Sequence, residues 1–180
     1  MGRNTNTIDY REDYYKGFAK IYFNTILQII IDFGKLKNES GLILDYGCGF
    51  GHLKIKLNRP NVVGYDIIPE LSDINDYRNL KPQKIVLSNV LEHLYLDEID
   101  SLLKEFVKMN STAELLVSLP TENFVSKIAK RLSGLPSAHD DHVSKYKQIN
   151  QLIEKYYYPN RRKYIFLKMS QITKYVPINK

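Results

Sequence analysis

The chain has 180 residues, 43% of them hydrophobic, which suits one domain with one core and excludes a short disulfide-stabilised scaffold. Its single cysteine, Cys48, forms no intramolecular disulfide, so a reducing cytoplasm is the expected location. The formal net charge is +6, and residues 131–180 carry 10 Lys and Arg against 3 Asp and Glu, which amounts to +7. Because the most apolar stretch is short and interrupted by polar residues, no membrane span is predicted.

The first half of the chain alternates between helical and extended patterns. Apolar residues recur at spacings of three and four over residues 14–34, which predicts an amphipathic helix. The next predicted elements are a buried strand at 41–46, a glycine-rich turn at 47–51, a short helix marked by Leu53 and Leu57, and a second strand at 62–66. Only 17 residues separate Asp66 from Lys84, and two of them are prolines, so a full helix and a full strand are not expected there.

The second half continues the alternation and ends in two strands. A buried strand is predicted at 85–88, and Asp97 is the expected N-cap of a helix with one apolar face. The remaining predicted elements are a strand at 115–119, a helix at 122–132, a loop at 133–141, a helix over 146–156, and an edge strand pair at 164–169 and 172–176. This order predicts an α/β fold with a mostly parallel sheet.

The glycine turn follows the first strand, at the end of a parallel sheet where ligands bind. Its glycines, Gly47, Gly49 and Gly51, permit positive φ and let a ligand approach the backbone. A dinucleotide site has its third glycine one residue later, and Asp45 repels a pyrophosphate, so a nicotinamide-dependent oxidoreductase is disfavoured. A carboxylate at Asp45 suits a cationic ligand, and Asp66 at the tip of the second strand suits ribose hydroxyls.

These segments resemble the class I S-adenosylmethionine-dependent methyltransferases. The matching pieces lie in the family's order at residues 44–51, 63–66, 87–94, 116–120 and 142–143. The resemblance implies a Rossmann-like sandwich whose mostly parallel sheet has an antiparallel edge hairpin, with a shortened region between the second and fourth strands. It also implies S-adenosyl-L-methionine as cofactor, S-adenosyl-L-homocysteine as product, and kinship with the subgroup that methylates small molecules.

The resemblance divides the single domain, residues 1–180, into a helical cap at 1–38, a cofactor-binding core at 39–120 and a substrate side at 121–180. It implies cofactor contacts on the methionine side from Asp45, Tyr46, Gly47, Cys48, Gly49, Gly51 and Asn89. It implies contacts to the ribose and adenine from Asp66, Ile67, Asp73 and Ile74. The family usually has a complete helix between its second and third strands, and Asp in place of Lys84, so the adenine side is expected to be more exposed here.

The acceptor side is expected to draw on residues after the third strand and on two further segments. Glu92 and His93 are the candidate catalytic residues, with His93 as a general base. The alternative is that alignment of the reactants alone suffices and that His93 fixes a loop. Candidate substrate contacts are Tyr14, His139 and His142. No metal is expected, because two His and two Asp within residues 139–142 do not easily converge on one ion.

The predicted function is transfer of a methyl group to an oxygen, nitrogen or carbon nucleophile of a small, anionic molecule. Two alternatives stay open: an RNA methyltransferase that uses the basic C-terminal segment, and a non-catalytic relative that binds the cofactor. The expected partners are therefore a small molecule or RNA, without a membrane, and the oligomeric state is not predicted.

Overall fold

A computed structural model describes residues 17–121 and 143–178 of the chain. Its strands are β1 (Ile43–Tyr46), β2 (Val62–Tyr65), β3 (Lys84–Ser88), β4 (Glu114–Pro120), β5 (Tyr157–Ile165) and β6 (Ser170–Pro177). They form one sheet in the order β2-β1-β3-β4-β6-β5. The first four strands run parallel, whereas β6 is antiparallel to both β4 and β5. The predicted mostly parallel α/β sheet with an antiparallel edge hairpin is confirmed.

Helices cover both faces of this sheet. The described helices are α1 (Gly17–Gly34), α2 (His52–Leu57), α3 (Leu96–Met109) and α4 (Tyr146–Ile153). Ile30 of α1 and Leu53 of α2 share one buried cluster with the strands. Phe106 of α3 and Ile149 of α4 share the buried cluster on the other face. The parallel strands are thus buried on both sides, which explains their continuous apolar runs.

Three predicted segments extend beyond the described residues. The predicted helix at 14–34 is described only from Gly17, and the predicted helix at 122–132 and loop at 133–141 lie outside the described ranges. The helix predicted over 146–156 ends at Ile153. The rest of the sequence-derived element order is confirmed.

Helix α3 begins earlier than its sequence suggested, so the prediction of Asp97 as N-cap is wrong. The N-cap is Tyr95, whose backbone N–H donates a hydrogen bond to the Glu98 carboxylate at 2.8 Å. Because the third helical residue, Glu98, accepts this bond with its side chain, the first turn of the helix begins after Tyr95. Asp97 lies inside that turn, where its negative charge is favourable beside unpaired backbone N–H groups.

The edge hairpin also starts earlier than predicted. Strand β5 begins at Tyr157, and the residues after Ile165, predicted as strand, form the turn to β6. Phe166, Leu167 and Lys168 in this turn all have positive φ, between 48° and 66°. The start of this strand was predicted incorrectly because Pro159 disfavours a strand in the interior of a sheet. Strand β5 instead forms the sheet edge, and its register shifts just after Pro159.

The connection between β2 and β3 is shortened, as predicted. Its only regular element is the 3-10 helix Pro69–Leu71, so β2 forms the other edge of the sheet. Asp73 covers part of that edge: its backbone N–H donates to the Gly64 carbonyl at 2.9 Å, and its carboxylate accepts from the Gly64 N–H at 2.7 Å. One residue therefore replaces the neighbouring strand that this edge lacks.

Candidate active site

The glycine turn links β1 to α2 and is fixed by backbone hydrogen bonds to β2. The N–H groups of Gly47 and Cys48 donate to the Tyr65 carbonyl at 2.7 and 3.1 Å. Gly47 has a φ of 74°, and a Cβ there would lie 2.5 Å from Cγ2 of Val90. Glycine is required at this position for both reasons, and the turn lies directly against the residues that follow β3.

The next two glycines face open space. Gly49 and Gly51 have φ values of 50° and 69°, and a Cβ built on either residue would meet no heavy atom within 4 Å. In the described part of the chain, no atom fills the position that a side chain would occupy. A ligand can therefore come within contact distance of the backbone, which is the use of glycine expected in a cofactor turn.

Asp45 carries a buried carboxylate on β1, two residues before the turn. The residue is 4% exposed, and burial together with the negative charges of Asp66 and Asp73 raises its pKa to about 7. Among the described residues, none supplies a hydrogen bond that would lower this pKa. A buried carboxylate without a partner is costly, and a cation beside it favours ionisation again. The chemistry of this group therefore fits a cationic ligand.

Asp66 follows β2 and supplies the second acid of the site. One carboxylate oxygen accepts the Gly49 N–H at 2.9 Å and the other accepts the Ile68 N–H at 3.0 Å. These bonds fix the carboxylate against the glycine turn and leave lone pairs for further donors. Beside it, Ile67 is 85% exposed. We call the part of the site around Asp45 its first end and the part around Asp66 its second end. The second end combines a fixed hydrogen-bond acceptor with an uncovered apolar side chain, as a ribose and an adenine require.

Asp73 and Ile74 are engaged by the protein itself. The Asp73 carboxylate accepts two hydrogen bonds from the Lys54 ammonium, at 2.9 and 2.8 Å, besides the bond from Gly64. The hydrogen bond with Lys54 is the main reason that the pKa of Asp73 is lowered. Ile74 is half-buried and packs against the core under α3. The structure shows Asp73 as a clamp between α2 and β2.

Asn89 directly follows β3 and has a left-handed conformation, with a φ of 56°. Its backbone N–H donates to the Ser118 hydroxyl at 3.1 Å, and that hydroxyl donates to Oδ1 of Asn89 at 2.9 Å. Ser118 is fully buried in β4. Ser118 was not predicted as a site residue, although a hydroxyl within the apolar run at 115–119 is a sequence signal that could have indicated it.

Glu92 and His93 lie in the 3-10 helix Leu91–His93, just after β3. Glu92 is 3% exposed, its Oε2 has no hydrogen-bond partner within residues 17–121 and 143–178, and burial raises its pKa to about 8. Its backbone carbonyl accepts the Val143 N–H at 3.0 Å, which joins this turn to the segment before α4. His93 is exposed. The two predicted catalytic residues are therefore neighbours in very different surroundings.

Tyr46 and Cys48 flank Gly47 but direct their side chains into protein contacts. The Tyr46 ring packs edge-on against Tyr77 and Phe106, with centroids 5.1 and 5.6 Å away. The Cys48 thiol donates to the Leu71 carbonyl at 3.4 Å, and burial raises its pKa to about 12. A thiol with that pKa is not a nucleophile at neutral pH. Any contact that these two residues make with a ligand is therefore expected from their backbone atoms.

The predicted substrate contacts Tyr14, His139 and His142 lie outside the described residues. Within the described ranges, no group of three or more His, Cys, Asp or Glu side chains is placed to hold a metal ion. Among the helices of the same ranges, none is long and apolar enough to cross a membrane.

Solved structures of methyltransferases share this fold at low sequence identity. Magnesium protoporphyrin IX methyltransferase from Synechocystis, with bound S-adenosylhomocysteine, superposes with a TM-score of 0.69 at 16% identity, covering 97% of this chain and 96% of that one. A TehB-like S-adenosylmethionine-dependent methyltransferase from Corynebacterium glutamicum gives 0.61 at 13% identity, covering 89% and 96%. The small RNA methyltransferase HEN1 gives 0.66 at 20% identity, covering 86% of this chain and 26% of that one.

The sequence also matches a family as a whole. No protein of curated function matches it at a significant level. The family described as "Methyltransferase domain" matches residues 18–163, most of the chain and all of the glycine turn and its two acids. Its cofactor is S-adenosylmethionine, as the resemblance implied. The chain therefore belongs to the methyltransferase-domain family, among the class I S-adenosylmethionine-dependent methyltransferases.

Proposed function

We propose that this protein transfers a methyl group from S-adenosylmethionine to an oxygen, nitrogen or carbon nucleophile of a small anionic acceptor, releasing S-adenosylhomocysteine. The observation that carries the proposal is the buried Asp45 carboxylate, which has no hydrogen-bond donor among the described residues and lies two residues before an open glycine turn. The ligand that suits this arrangement is cationic and compact enough to lie against backbone.

The residues at the first end of the site bind the amino-acid part of the cofactor. Asp45 binds the ammonium group, because that cation compensates the buried negative charge. The backbone of residues 46–49 and of Gly51 lines the same part, and Asn89, fixed by Ser118, lies at the neighbouring strand end. When bound, S-adenosylmethionine supplies a methyl group on a positively charged sulfur.

The residues at the second end bind the nucleoside part. Asp66 accepts hydrogen bonds from both ribose hydroxyls with the lone pairs that Gly49 and Ile68 leave free. Ile67 packs against the adenine, which covers much of its exposed surface. Asp73 and Ile74 support this end from the protein side, since Lys54 and the core already hold their side chains.

Proton transfer from the acceptor is assigned to the turn after β3. Glu92 is the preferred group, because a buried carboxylate with a pKa of about 8 can take up a proton near neutral pH, and no residue in the described part of the chain bonds to its Oε2. His93 is the alternative base. Tyr14, His139 and His142 are proposed to contact the acceptor, whose negative charge is complementary to the basic segment 131–180.

The test measures cofactor binding and turnover separately. Calorimetry is expected to show binding of S-adenosylmethionine and S-adenosylhomocysteine to the full chain, and product assays with phosphorylated and carboxylated small molecules are expected to show acceptor-dependent S-adenosylhomocysteine. Glu92→Gln is expected to lower turnover at least about tenfold with cofactor affinity within about twofold. No binding at millimolar cofactor would overturn the proposal, and binding without turnover on any acceptor would support the non-catalytic alternative.

RNA is the second candidate acceptor. The basic C-terminal segment and the shared fold with HEN1 favour it. Product assays with short single-stranded RNA, run beside the small anionic acceptors, separate the two. Turnover on RNA alone would assign the protein to the second class.

A further inference from the structure

A groove lined by lysines lies on the α1 face of the sheet. It encloses about 530 Å³ between α1, α2 and the edge strand β5. The described residues of its lining include three lysines, Lys20, Lys56 and Lys163, together with two isoleucines and three uncharged polar residues, among them Gln28. Among the residues that the structure describes, this lining includes no carboxylate and no aromatic ring.

The lysines of the groove are uncompensated. Lys20, Lys56 and Lys163 are exposed, and none of them forms an ion pair with a residue that the structure describes. Several cations elsewhere on the molecule are paired, as Lys104 is with Asp100 at 2.7 Å and Arg162 with Glu154 at 3.0 Å. The groove is thus a concentration of free positive charge, which attracts an anion.

Arg161 extends this positive surface along β5. It lies two residues before Lys163, so both side chains project from the same side of the strand. The Arg161 guanidinium lies 4.2 Å from the centre of the Phe33 ring of α1, which fixes it beside the helix. Arg162 between them points to the other side, where it pairs with Glu154. Four cations therefore share the α1 side of the sheet.

The groove opens toward the same end of the sheet as the glycine turn. Lys163 pairs with Ile172, Ile172 with Ser118, and Ser118 with Ser88, which is the last residue of β3. Helix α1 leads from its C-terminal end into β1 by a short connection, so Lys20 in its first turns lies toward the opposite end of that strand. Both lysines are consequently level with the ends of the parallel strands that hold the candidate site.

The length of the groove along α1 suits a chain of phosphates. Lys20 and Gln28 are eight residues apart on α1, or about 12 Å along the helix axis. Over that length one strand of a nucleic acid carries about three phosphates. Because no described residue of the lining offers a ring on which a base could stack, contact is expected with the backbone.

We propose that this groove binds the phosphodiester backbone of single-stranded RNA, independently of base sequence. RNA is the proposed occupant because of charge complementarity, the length of the groove along α1 and its position beside the strand ends. Binding of RNA in this groove depends neither on the cofactor nor on which atom is methylated. It therefore stands or falls separately from the proposed function.

Salt-dependent binding of a fluorescent single-stranded RNA to the full chain tests this groove. With four cations engaged, the affinity of the wild-type chain is expected to fall about 50-fold between 50 and 200 mM salt. The triple variant Lys20→Gln, Lys56→Gln, Lys163→Gln retains only Arg161 of the four cations. Its affinity is expected to fall only about threefold over the same salt range. DNA of the same length, inorganic triphosphate and anionic lipid vesicles serve as competitors.

The matched control removes the same charge from the opposite face. Lys108→Gln, Lys147→Gln, Lys155→Gln replaces three exposed lysines on or beside α3 and α4. This control is expected to keep the wild-type salt dependence, and both triple variants are expected to keep wild-type cofactor affinity and melting temperature. Equal losses in the two variants, absence of RNA binding at 50 mM salt, or displacement of RNA by triphosphate or vesicles at equal phosphate concentration would each overturn the proposal.

Discussion

The two ends of the candidate cofactor site are built in opposite ways. At the first end, Asp45 is buried on a central strand, has a pKa raised to about 7, and receives no hydrogen bond from a described residue. At the second end, Asp66 is half-buried at the sheet edge and accepts two backbone hydrogen bonds. The buried Asp45 carboxylate is therefore energetically unfavourable until a cation binds beside it. The Asp66 carboxylate already has hydrogen-bond partners, and a ligand only adds contacts to it.

The difference shows which parts of the site tolerate shortening. The first end depends on two neighbouring strands, β2 and β3, that hold the glycine turn against Val90. At the second end, hydrogen bonds from nearby backbone N–H groups hold Asp66 in place. A full helix and a further strand after β2 are therefore not needed to position this acid. The consequence is exposure, since Ile67 is 85% accessible. Binding strength is therefore expected to reside mostly in the first end.

Replacement of the buried acid gives the largest expected effect. Asp45→Asn is expected to weaken S-adenosylmethionine binding about 100-fold, because the ammonium group loses its charged partner. The same change removes the cost of a buried carboxylate, up to about 4 kcal/mol at pH 8 for a pKa raised from 3.8 to about 7. Calorimetry and urea unfolding measure the two quantities.

The sign of the stability effect follows from the raised pKa. The folded chain holds the Asp45 proton more tightly than the unfolded chain, so the free energy of unfolding falls as pH rises from about 4 to 7. Asp73→Asn is the control, since it changes an acid that is already paired. Asp45→Asn that lost stability at pH 8 and kept cofactor affinity would contradict the assigned role.

Two glycines of the turn distinguish residues that stabilise the fold from residues that contact the cofactor. Gly47→Ala is expected to cost about 2 to 4 kcal/mol of folding free energy, because the Cβ overlaps Val90 and φ is positive. Gly49→Ala is expected to cost about 1 kcal/mol, since its Cβ meets open space, yet to weaken cofactor binding by filling that space. Urea unfolding beside calorimetry measures both, and equal effects on stability would argue against the open space.

Ser118→Ala tests the support of Asn89. The loss of its hydrogen bonds to the Asn89 N–H and Oδ1 is expected to cost about 1 to 3 kcal/mol, since Ser118 is fully buried. Cofactor affinity is expected to fall less than for Asp45→Asn. Ser101→Ala is the matched control, because that serine is exposed on α3. Similar stability losses in the two variants would contradict the assigned support.

The smallest effect is expected at the sheet edge. Lys54→Met breaks an ion pair with Asp73 whose two side chains are 45% and 38% exposed. Such a pair contributes about 0 to 1 kcal/mol, less in high salt. Thermal unfolding at low and high salt measures it. A loss of several kcal/mol would mean that the clamp, rather than the buried first end, holds the site together.

The sequence predicted the parts of the molecule in which local pattern and tertiary packing agree. Buried parallel strands are continuous apolar runs, so β1 and β3 could be identified within a residue or two. The start of α3 could not, because Glu98 satisfies the cap that Asp97 was expected to supply. The extent of β5 was missed because its edge position, which tolerates Pro159, depends on the order of strands in the sheet.

The candidate site was predicted in its residue types but not in its energetics. Asp45 and Asp66 are equivalent acids in the sequence, and only the structure shows that one lacks partners while the other has two. The same holds for Asp73, whose partner Lys54 lies 19 residues away along the chain. Hydrogen bonds between distant residues decide these roles, and spacing alone does not reveal them.

The most direct measurement is the affinity for S-adenosylmethionine between pH 5.5 and 7, where the ammonium group of the ligand stays charged. Because only ionised Asp45 pairs with that group, a pKa of about 7 predicts roughly a 15-fold gain in affinity over this range. Proton release on binding is expected to be greatest at pH 5.5, and Asp45→Asn is expected to show neither effect. An affinity that stays constant or falls as pH rises in the wild-type chain would contradict the role of Asp45 as the partner of the cationic ligand.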